Sequence, residues 1–402
     1  MKKPVGVITR PAGFAASGAS AGIKTTPGVP DVAVLACETG ASGAAVFTTN
    51  KVCAAPVKVS REHLLKSRGQ VRAVVVNSGN ANACTGKRGM RDARTMAALT
   101  GRLLDVPPES VLVASTGVIG QPLPMDRVET GIRRATETLS RDRKGGRRFA
   151  RGIMTTDRFP KEAEASFTVS GKRVRLAGVV KGAGMIAPNM ATMLAFVTTD
   201  ARVTPSVLRR LLLRGVARSF NRITVDGHMS TNDTCVALAS GASGVRVKSG
   251  RSGEKFAQAL DEVLLRLALQ IVRDGEGAVR VAEVQVKGAR TDVEAELAAR
   301  AIADSLMVKT ALFGADPNWG RIVSAAGACG CAFTEEKTSL RIGRHLIYSS
   351  GRPRPASKAV MNAMKRERVT FLLDLGIGRG SSVVYTCDIG YDYVRLNAEY
   401  HT

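Results

Sequence analysis

Aromatic residues and long apolar runs are both scarce in this sequence. Aromatics make up 4% of the 402 residues, with one tryptophan, so the cores have to be built mainly from Val, Leu, Ile, Ala and Met. No stretch of roughly 18 apolar residues occurs, which argues against a membrane-spanning helix. The N-terminus, MKKPVGVITRPAG, has two lysines but no apolar segment behind them, so no secretory signal is expected. We expect a soluble, cytoplasmic protein.

Familiar metal, redox and nucleotide motifs are also missing. The seven cysteines include no CxxC, and the closest pair, Cys329 and Cys331, has no histidine nearby, so we expect reduced thiols and no metal site. No P-loop, HExxH or GxSxG occurs. In DLGIGRGSS (374–382) a dinucleotide fingerprint would need a third glycine where Ser381 stands, so this stretch predicts a turn between two strands.

What the sequence does have is a large excess of positive charge. The formal net charge is +25 and the pI is about 10.4. The densest basic cluster, Arg133 to Arg151, lacks the interleaved aromatics that stack on bases, and it is expected to be an exposed helix end with a loop. Nucleic-acid binding without catalysis therefore remains only an alternative. A basic surface also attracts small anions such as carboxylates and phosphates.

Strand-like and helix-like segments alternate along the whole chain, which predicts a mixed α/β or α+β protein. The C-terminal quarter, from Ser339, is expected to be an antiparallel sheet with hairpins and one helix. The predicted strands are 33–49, 72–82, 109–120 and 279–289, and the predicted helices are 89–104, 124–139, 205–220, 255–274, 294–314 and 357–367.

One junction between a loop and an apolar run raises a question of chemistry. In KGAGMIAPNMATMLAFVTTD (181–200), glycines and a proline favour a turn, and MLAFVTTD (193–200) predicts a buried strand directly behind Ala191 and Thr192. If the chain cut itself before Thr192, the new N-terminus would carry a hydroxyl nucleophile and an α-amine with a pKa of roughly 7.7–8. One residue would then supply both nucleophile and base. From chemistry alone, a purely structural turn is the commoner explanation.

Several long motifs, in order, make the chain resemble the ornithine acetyltransferase family, also described as glutamate N-acetyltransferase. The resemblance covers nearly the whole sequence. The motifs are NSGNANACTG (77–86), ASTGVIG (114–120), MTTDRFPK (154–161), KGAGMIAPNMATMLAF (181–196), SFNRITVDGHMSTNDT (219–234), RDGEGA (273–278), KTALFGADPNWGRI (309–322) and LNAEYHT (396–402).

This resemblance implies a fold and an activity. The fold would be a layered αββα sandwich with a smaller C-terminal α+β region, cut into an alpha chain (1–191) and a beta chain (192–402) that assemble as a heterotetramer of two alpha and two beta chains. The enzyme would move an acetyl group from N-acetylornithine to glutamate through an acetyl-threonine intermediate in arginine biosynthesis. No cofactor, nucleic acid or membrane is implied, although some members take acetyl-CoA as a co-substrate.

The resemblance also implies residue roles. The chain would be cleaved between Ala191 and Thr192, Thr192 would be the nucleophile, and Thr116 and Gly117 would form the oxyanion hole. Donors aimed at the developing negative oxygen suit that reaction. The substrate-binding positions implied are Thr155, Lys181, Thr192, Glu276, Asn397 and Thr402.

The sequence departs from the family pattern at Ala187, at His228, at the pair 279–280 and at His401, which affects the finer substrate contacts. A hydrolase of the same N-terminal-nucleophile type, such as an aminopeptidase, is the alternative enzyme. Without the resemblance, Thr116 and Gly117 would be a simple turn, and the substrate positions would be solvated surface or tail residues.

Overall fold

The computed structural model of this protein describes residues 5–187 and 193–399, so the predictions for Ala191, Thr192, His401 and Thr402 lie outside the described residues. The strands are β1 Phe14–Ala19, β2 Val32–Phe47, β3 Gln70–Asn80, β4 Val111–Val118, β5 Lys161–Val169, β6 Lys172–Lys181, β7 Leu194–Thr199, β8 Ile223–Thr224, β9 Thr234–Ala239, β10 Val281–Ala289, β11 Ser339–Ile342, β12 His345–Ser349, β13 Arg352–Pro353, β14 Arg368–Asp374 and β15 Gly380–Cys387. The helices are α1 Ala55–Lys66, α2 Gly86–Leu103, α3 Met125–Glu137, α4 Arg143–Gly152, α5 Pro205–Arg218, α6 Arg251–Arg273, α7 Asp292–Asp304, α8 Leu306–Phe313, α9 Trp319–Gly327, α10 Lys358–Met364 and α11 Tyr391–Glu399.

The strands form two mixed sheets, which confirms the mixed α/β class. The first sheet has the order β4-β3-β2-β9-β7-β6-β5, with β1 also paired to β2. Its β3–β4 and β7–β9 pairs are parallel and the others antiparallel. The second sheet has the order β13-β12-β11-β14-β10-β15-β8. Strand β2 is irregular between Ala36 and Ala41: its first part pairs with β1 and β3, and its second part pairs with β9 and, at its start, still with β3.

Successive side chains along a strand of the first sheet pack into different cores, because they point to opposite faces of the sheet. On β7, Leu194 and Phe196 join a core that also contains Val74 of β3, whereas Ala195 and Val197 face α5 and α6. Val75 of β3 points the other way, toward α1, α2 and α3. The β3 and β7 halves of the sheet therefore share one core and carry helices on their outer faces. The second sheet packs against α7 to α10.

Two predictions about the C-terminal half are wrong. The helix predicted over 294–314 is two helices, because the Ser305 hydroxyl accepts the N–H of Val308 and starts α8 as a new helix. Strands β11 to β14 pair with one another antiparallel, as predicted, but they belong to a larger mixed sheet in which β14 runs parallel to β10, and β8 parallel to β15. The segment Tyr391–Glu399, predicted as strand, is helix α11, which lies on the surface without a buried residue.

Other predictions agree with the structure. Strand β7 is buried at every position, and the glycine-rich stretch 374–382 connects β14 to β15 as a turn. The prediction for the basic cluster is only partly correct, because the part expected to be a loop contains a further helix, α4, whose N-terminus is capped by Asp142. Within the described residues, none of the helices combines the length and the apolar character needed to cross a membrane.

Candidate active site

A cavity of about 310 Å³ lies at the end of the first sheet, where β6 ends and β7 begins. Five of the residues predicted to act line it together, although they come from distant parts of the sequence. These are Thr116, Gly117, Thr155, Lys181 and Glu276, and a sixth, Asn397, closes it from the C-terminal helix. A cavity of this size is in the range for a small metabolite.

The turn of Thr116 and Gly117 at the end of β4 is held by a close approach of two backbones. A side chain at Gly117 would meet the carbonyl carbon of Gly79 at 2.3 Å and the nitrogen of Asn80 at 2.5 Å, and its φ of +133° lies where residues other than glycine are strained. Thr116 itself is buried. Only glycine lets the turn pack this tightly against β3, so the position of the threonine is rigidly determined.

Buried asparagines form the scaffold beneath this turn. Asn77 donates to the carbonyl of Asn80 at 2.8 Å, and the hydroxyl of Ser115 donates to the Asn77 side chain. From the opposite half of the sheet, Asn232 donates to the carbonyls of Ala81 and Ser115, at 2.6 and 2.8 Å. The bonds of Asn232 tie the two halves of the first sheet together directly behind Thr116.

Lys181 and its surroundings form a buried network of charges. Burial lowers the pKa of Lys181, while the carboxylates of Asp157 and Glu276 act to raise it. Burial by itself would raise the pKa of Asp157, but the ammonium groups of Lys161 and Lys181 outweigh burial and hold that pKa below its ordinary value. A second cation besides Lys181 therefore helps to keep Asp157 ionised.

Lys161 is that second cation, and it has no exposed side-chain surface. Its ammonium group bonds both Asp157 and, at 2.6 Å, Asp274. Asp157 in turn accepts the N–H groups of Thr155 at 2.9 Å and Gly182 at 2.7 Å. The buried ion network thus holds the backbone on two sides of the cavity.

The C-terminal helix α11 covers the mouth of the cavity. Asn397 donates to Oε2 of Glu276 at 3.0 Å. The helix lies close to Gly277, where a side chain would meet the nitrogen of Tyr393 at 2.4 Å. Gly184 leaves room for the carboxylate, because a side chain there would meet the Glu276 carboxyl at 2.4 Å. Asn397 of the predicted tail therefore lies at the cavity, while Thr402 lies outside the described residues.

Two aspartates from one segment hold the chain on both sides of residues 188–192. Asp226 accepts the N–H groups of Met185 and Ile186 at 2.6 and 2.8 Å. Asp233 is fully buried and accepts the N–H of Met193 at 2.9 Å. The backbone is therefore held before the predicted cleavage point by Asp226 and directly after it by Asp233.

An Asp233→Asn variant is expected to change the pH dependence of stability. Burial outweighs the hydrogen bond from Met193 and the charge of Lys181, and it raises the pKa of Asp233 well above its ordinary value. Above about pH 3.9 the unfolded chain has released this proton while the folded chain keeps it, so stability falls as the pH rises. Asparagine has no such proton. Urea unfolding from about pH 4 to about pH 8 should show the wild type losing stability relative to the variant, and a constant difference would contradict this.

Within residues 5–187 and 193–399, no group of three or more His, Cys, Asp or Glu side chains could hold a metal ion. The cavity itself is lined by hydroxyl, amide, carboxylate and ammonium groups. Such groups can bind a small zwitterion and stabilise a developing negative charge.

Comparison with known proteins agrees with this chemistry. The profile of the ArgJ family matches residues 15–402. The arginine biosynthesis bifunctional protein ArgJ of Symbiobacterium thermophilum is 48% identical over 401 residues, covering 99% of each chain. This chain belongs to the ArgJ family. The glutamate N-acetyltransferase of Methanocaldococcus jannaschii is 45% identical over 408 residues, again covering 99% of each chain.

Solved structures of ArgJ proteins match about half of this chain. The arginine biosynthesis bifunctional protein of Bacillus halodurans is 45% identical, with a TM-score of 0.44, and covers 46% of this chain and 94% of its own. The ornithine acetyltransferase of Mycobacterium tuberculosis, solved in complex with ornithine, is 35% identical, with a TM-score of 0.40, and covers 46% of this chain and 95% of its own.

Sequence reasoning missed several residues of this ArgJ site. The motif SFNRITVDGHMSTNDT was noticed, but the individual bonds of Asp226, Asn232 and Asp233 were not predicted. The available signal was a run of polar residues directly before a buried strand, β9. Of the departures from the family pattern, His228 lines the cavity while Ala187 is buried.

Proposed function

We propose that this chain transfers an acetyl group from N2-acetyl-L-ornithine to L-glutamate in arginine biosynthesis, as an acyltransferase of the ArgJ family. One observation supports the proposal most directly. Residues implied by the resemblance to bind substrate and to stabilise the oxyanion line one cavity, directly beside the segment that contains the implied nucleophile. A purely structural turn at that segment would not require such a convergence.

In this mechanism the hydroxyl of Thr192 attacks the acetyl carbonyl of the donor. Thr116 and Gly117 stabilise the negative oxygen of the tetrahedral intermediate, which collapses to acetyl-threonine and releases ornithine. Glutamate then attacks the ester and leaves as N-acetylglutamate. The α-amine of Thr192, freed by cleavage, accepts the proton of the hydroxyl and returns it to the leaving amine.

The cavity also contains the groups that an amino-acid substrate needs. Lys181 supplies a cation for the α-carboxylate, and its burial strengthens that attraction because little water competes. Glu276 supplies a carboxylate for the side-chain ammonium of ornithine, and Asn397 positions Glu276 through the bond at 3.0 Å. Thr155 lies at the wall with its backbone fixed by Asp157. Thr402 would complete the site from the end of the chain.

Cleavage between Ala191 and Thr192 would divide the protein into an alpha chain (1–191) and a beta chain (192–402). The bonds of Asp226 and Asp233 support this proposal, because they fix the backbone at Met185 and at Met193, on either side of the proposed cleavage point. The αββα order of layers is supported by the shared core between the halves of the first sheet. We also propose that the alpha and beta chains assemble as a heterotetramer in the cytoplasm. The enzyme would need no bound cofactor, and acetyl-CoA would serve as a second acetyl donor.

Mass spectrometry of single turnovers tests the function. After mixing with N-acetylornithine alone, the beta chain should gain the mass of one acetyl group, and added glutamate should remove it as N-acetylglutamate. A Thr116→Val variant should form this intermediate roughly 10²–10³-fold more slowly, as expected for loss of one oxyanion donor.

Release of the acetyl group only to water would instead support the hydrolase of N-terminal-nucleophile type. No acetylated beta chain at any time would reject the covalent mechanism. An unchanged rate in Thr116→Val would remove that residue from the oxyanion hole.

A further inference from the structure

Helix α4 lines a second cavity that the acetyl-transfer site does not use. The cavity has a volume of about 690 Å³. Four basic side chains of α4 face it: Lys144, Arg147, Arg148 and Arg151. These positions follow the spacing i, i+3, i+4 and i+7, which places them on one face of the helix. They belong to the densest basic cluster of the sequence, for which the proposed function gives no role.

The charge of this helix face is compensated only in part, since the one carboxylate of the cavity lies within electrostatic reach of Arg147. In the part of the chain that the structure describes, none of the four side chains forms a salt bridge. The carboxylate of the cavity is Glu162, whose Oε2 already accepts the N–H of Val7 at 2.8 Å. Burial raises the pKa of Glu162, while the hydrogen bond from Val7 and the charge of Arg147 act to lower it. Like charges three and four residues apart destabilise a helix, and a bound anion would relieve this repulsion.

The remaining walls of the cavity are mainly apolar. Phe159, Pro30 and Pro160 line it together with the basic side chains. A flat ring can pack against such apolar walls. Arginine binds phosphate well, because it donates two parallel hydrogen bonds to it. The volume lies in the range of about 300–1,000 Å³ that small-molecule sites occupy, and a nucleic-acid duplex requires an open groove instead.

We propose that this cavity binds a phosphate-bearing nucleotide, with its phosphates on the arginines of α4 and its base against Phe159 and the prolines. The site would lie next to the acetyl-transfer cavity. Thr156 lines that cavity and Phe159 lines this one, and three residues of chain span at most about 11 Å. Lys24, which donates to the Pro30 carbonyl at 2.7 Å, also lies within electrostatic reach of Lys181. The proposal does not rest on the acetyl-transfer reaction.

Calorimetric titration of the purified enzyme with ADP tests the site. A double variant, Arg148→Gln with Arg151→Gln, should weaken ADP binding at least tenfold. The matched control is Arg133→Gln, an exposed arginine of α3 outside the cavity, and it should leave the affinity unchanged. Raising the salt concentration should weaken binding, because charge attraction is screened. Adenosine, which has the base but no phosphate, should bind at least tenfold more weakly than ADP.

The choice of probe separates the sources of the nucleotide. If coenzyme A binds more tightly than ADP through the same arginines, the natural ligand is a nucleotide-bearing thiol carrier. If ADP binds more tightly, the natural ligand is a free nucleotide. Either result supports the site. The proposal is overturned if neither probe binds the wild type, if adenosine binds as tightly as ADP, or if Arg133→Gln weakens binding as much as the double variant. Acetyl transfer can occur whether or not the nucleotide binds, so failure of the nucleotide site would leave the proposed acetyltransferase function intact.

Discussion

A Thr192→Ala variant is expected to remain a single chain of 402 residues and to lose acetyl transfer. Alanine removes the hydroxyl that would both cut the preceding peptide bond and carry the acetyl group. Loss of a covalent nucleophile typically lowers kcat by a factor on the order of 10⁴ or more, because the binding site alone supplies only the residual rate. Intact-mass spectrometry measures cleavage, and formation of N-acetylglutamate measures transfer.

The matched control is Thr192→Ser, which keeps a hydroxyl and, after cleavage, an α-amine. It should be cut at the same bond and should retain part of the activity. Both variants should fold, because neither substitution removes the hydrogen bond from the backbone N–H of Met193 to Asp233. A Thr192→Ala protein that is still cut before residue 192, or that still becomes acetylated on the downstream chain, would contradict the proposed nucleophile.

A Lys161→Met variant is expected to lose about 3–5 kcal/mol of unfolding free energy, the usual cost of removing one partner from a buried ion pair. Methionine fills much of the same space but leaves the carboxylates of Asp157 and Asp274 buried without their shared cation. Loss of order should spread to the cavity, since Asp157 holds the N–H groups of Thr155 and Gly182. The free energy of unfolding in urea is measured with and without Lys161→Met in a Thr192→Ala background, because that variant is expected to stay a single chain.

The same substitution at an exposed pair is the control for Lys161→Met. Lys66 bonds Glu62 at 2.7 Å, but 56% of its side chain is exposed, so Lys66→Met should cost less than about 1 kcal/mol. The pH dependence gives a second readout. The pKa of Asp157 is depressed in the fold, so its contribution is present above about pH 3.9 and is lost as the pH falls further. Equal losses at Lys161 and Lys66 would refute a special role for the buried network.

The sequence by itself determined the local elements with strong periodicity. Helix α6, Arg251–Arg273, has apolar residues at helical spacing that are buried in the structure, and β7 was predicted as a buried strand from its unbroken apolar run. The long motifs also determined the family, and with it the candidate residues of the cavity. These features depend on neighbours within about one turn of a helix or on a contiguous run of residues, so no distant contact is needed to predict them.

Predictions failed where local preference was weak. Tyr391–Glu399 contains aromatic and branched residues that favour a strand, yet it forms a helix, which packs close to Gly277 beside the cavity. The parallel pairing of β10 with β14 joins strands separated by about eighty residues, and nothing in either strand specifies its direction.

Only the tertiary structure decided how the site is held together. Its bonds join residues far apart in sequence: Asn232 to the carbonyl of Ser115, Asp233 to the nitrogen of Met193, and Lys161 to Asp274. The local sequence around an asparagine or an aspartate does not show whether its side chain is solvated or is bonded to a distant backbone group. The irregularity of β2 brings the two halves of the first sheet together, and burial then turns ordinary polar side chains into the fixed walls of a cavity.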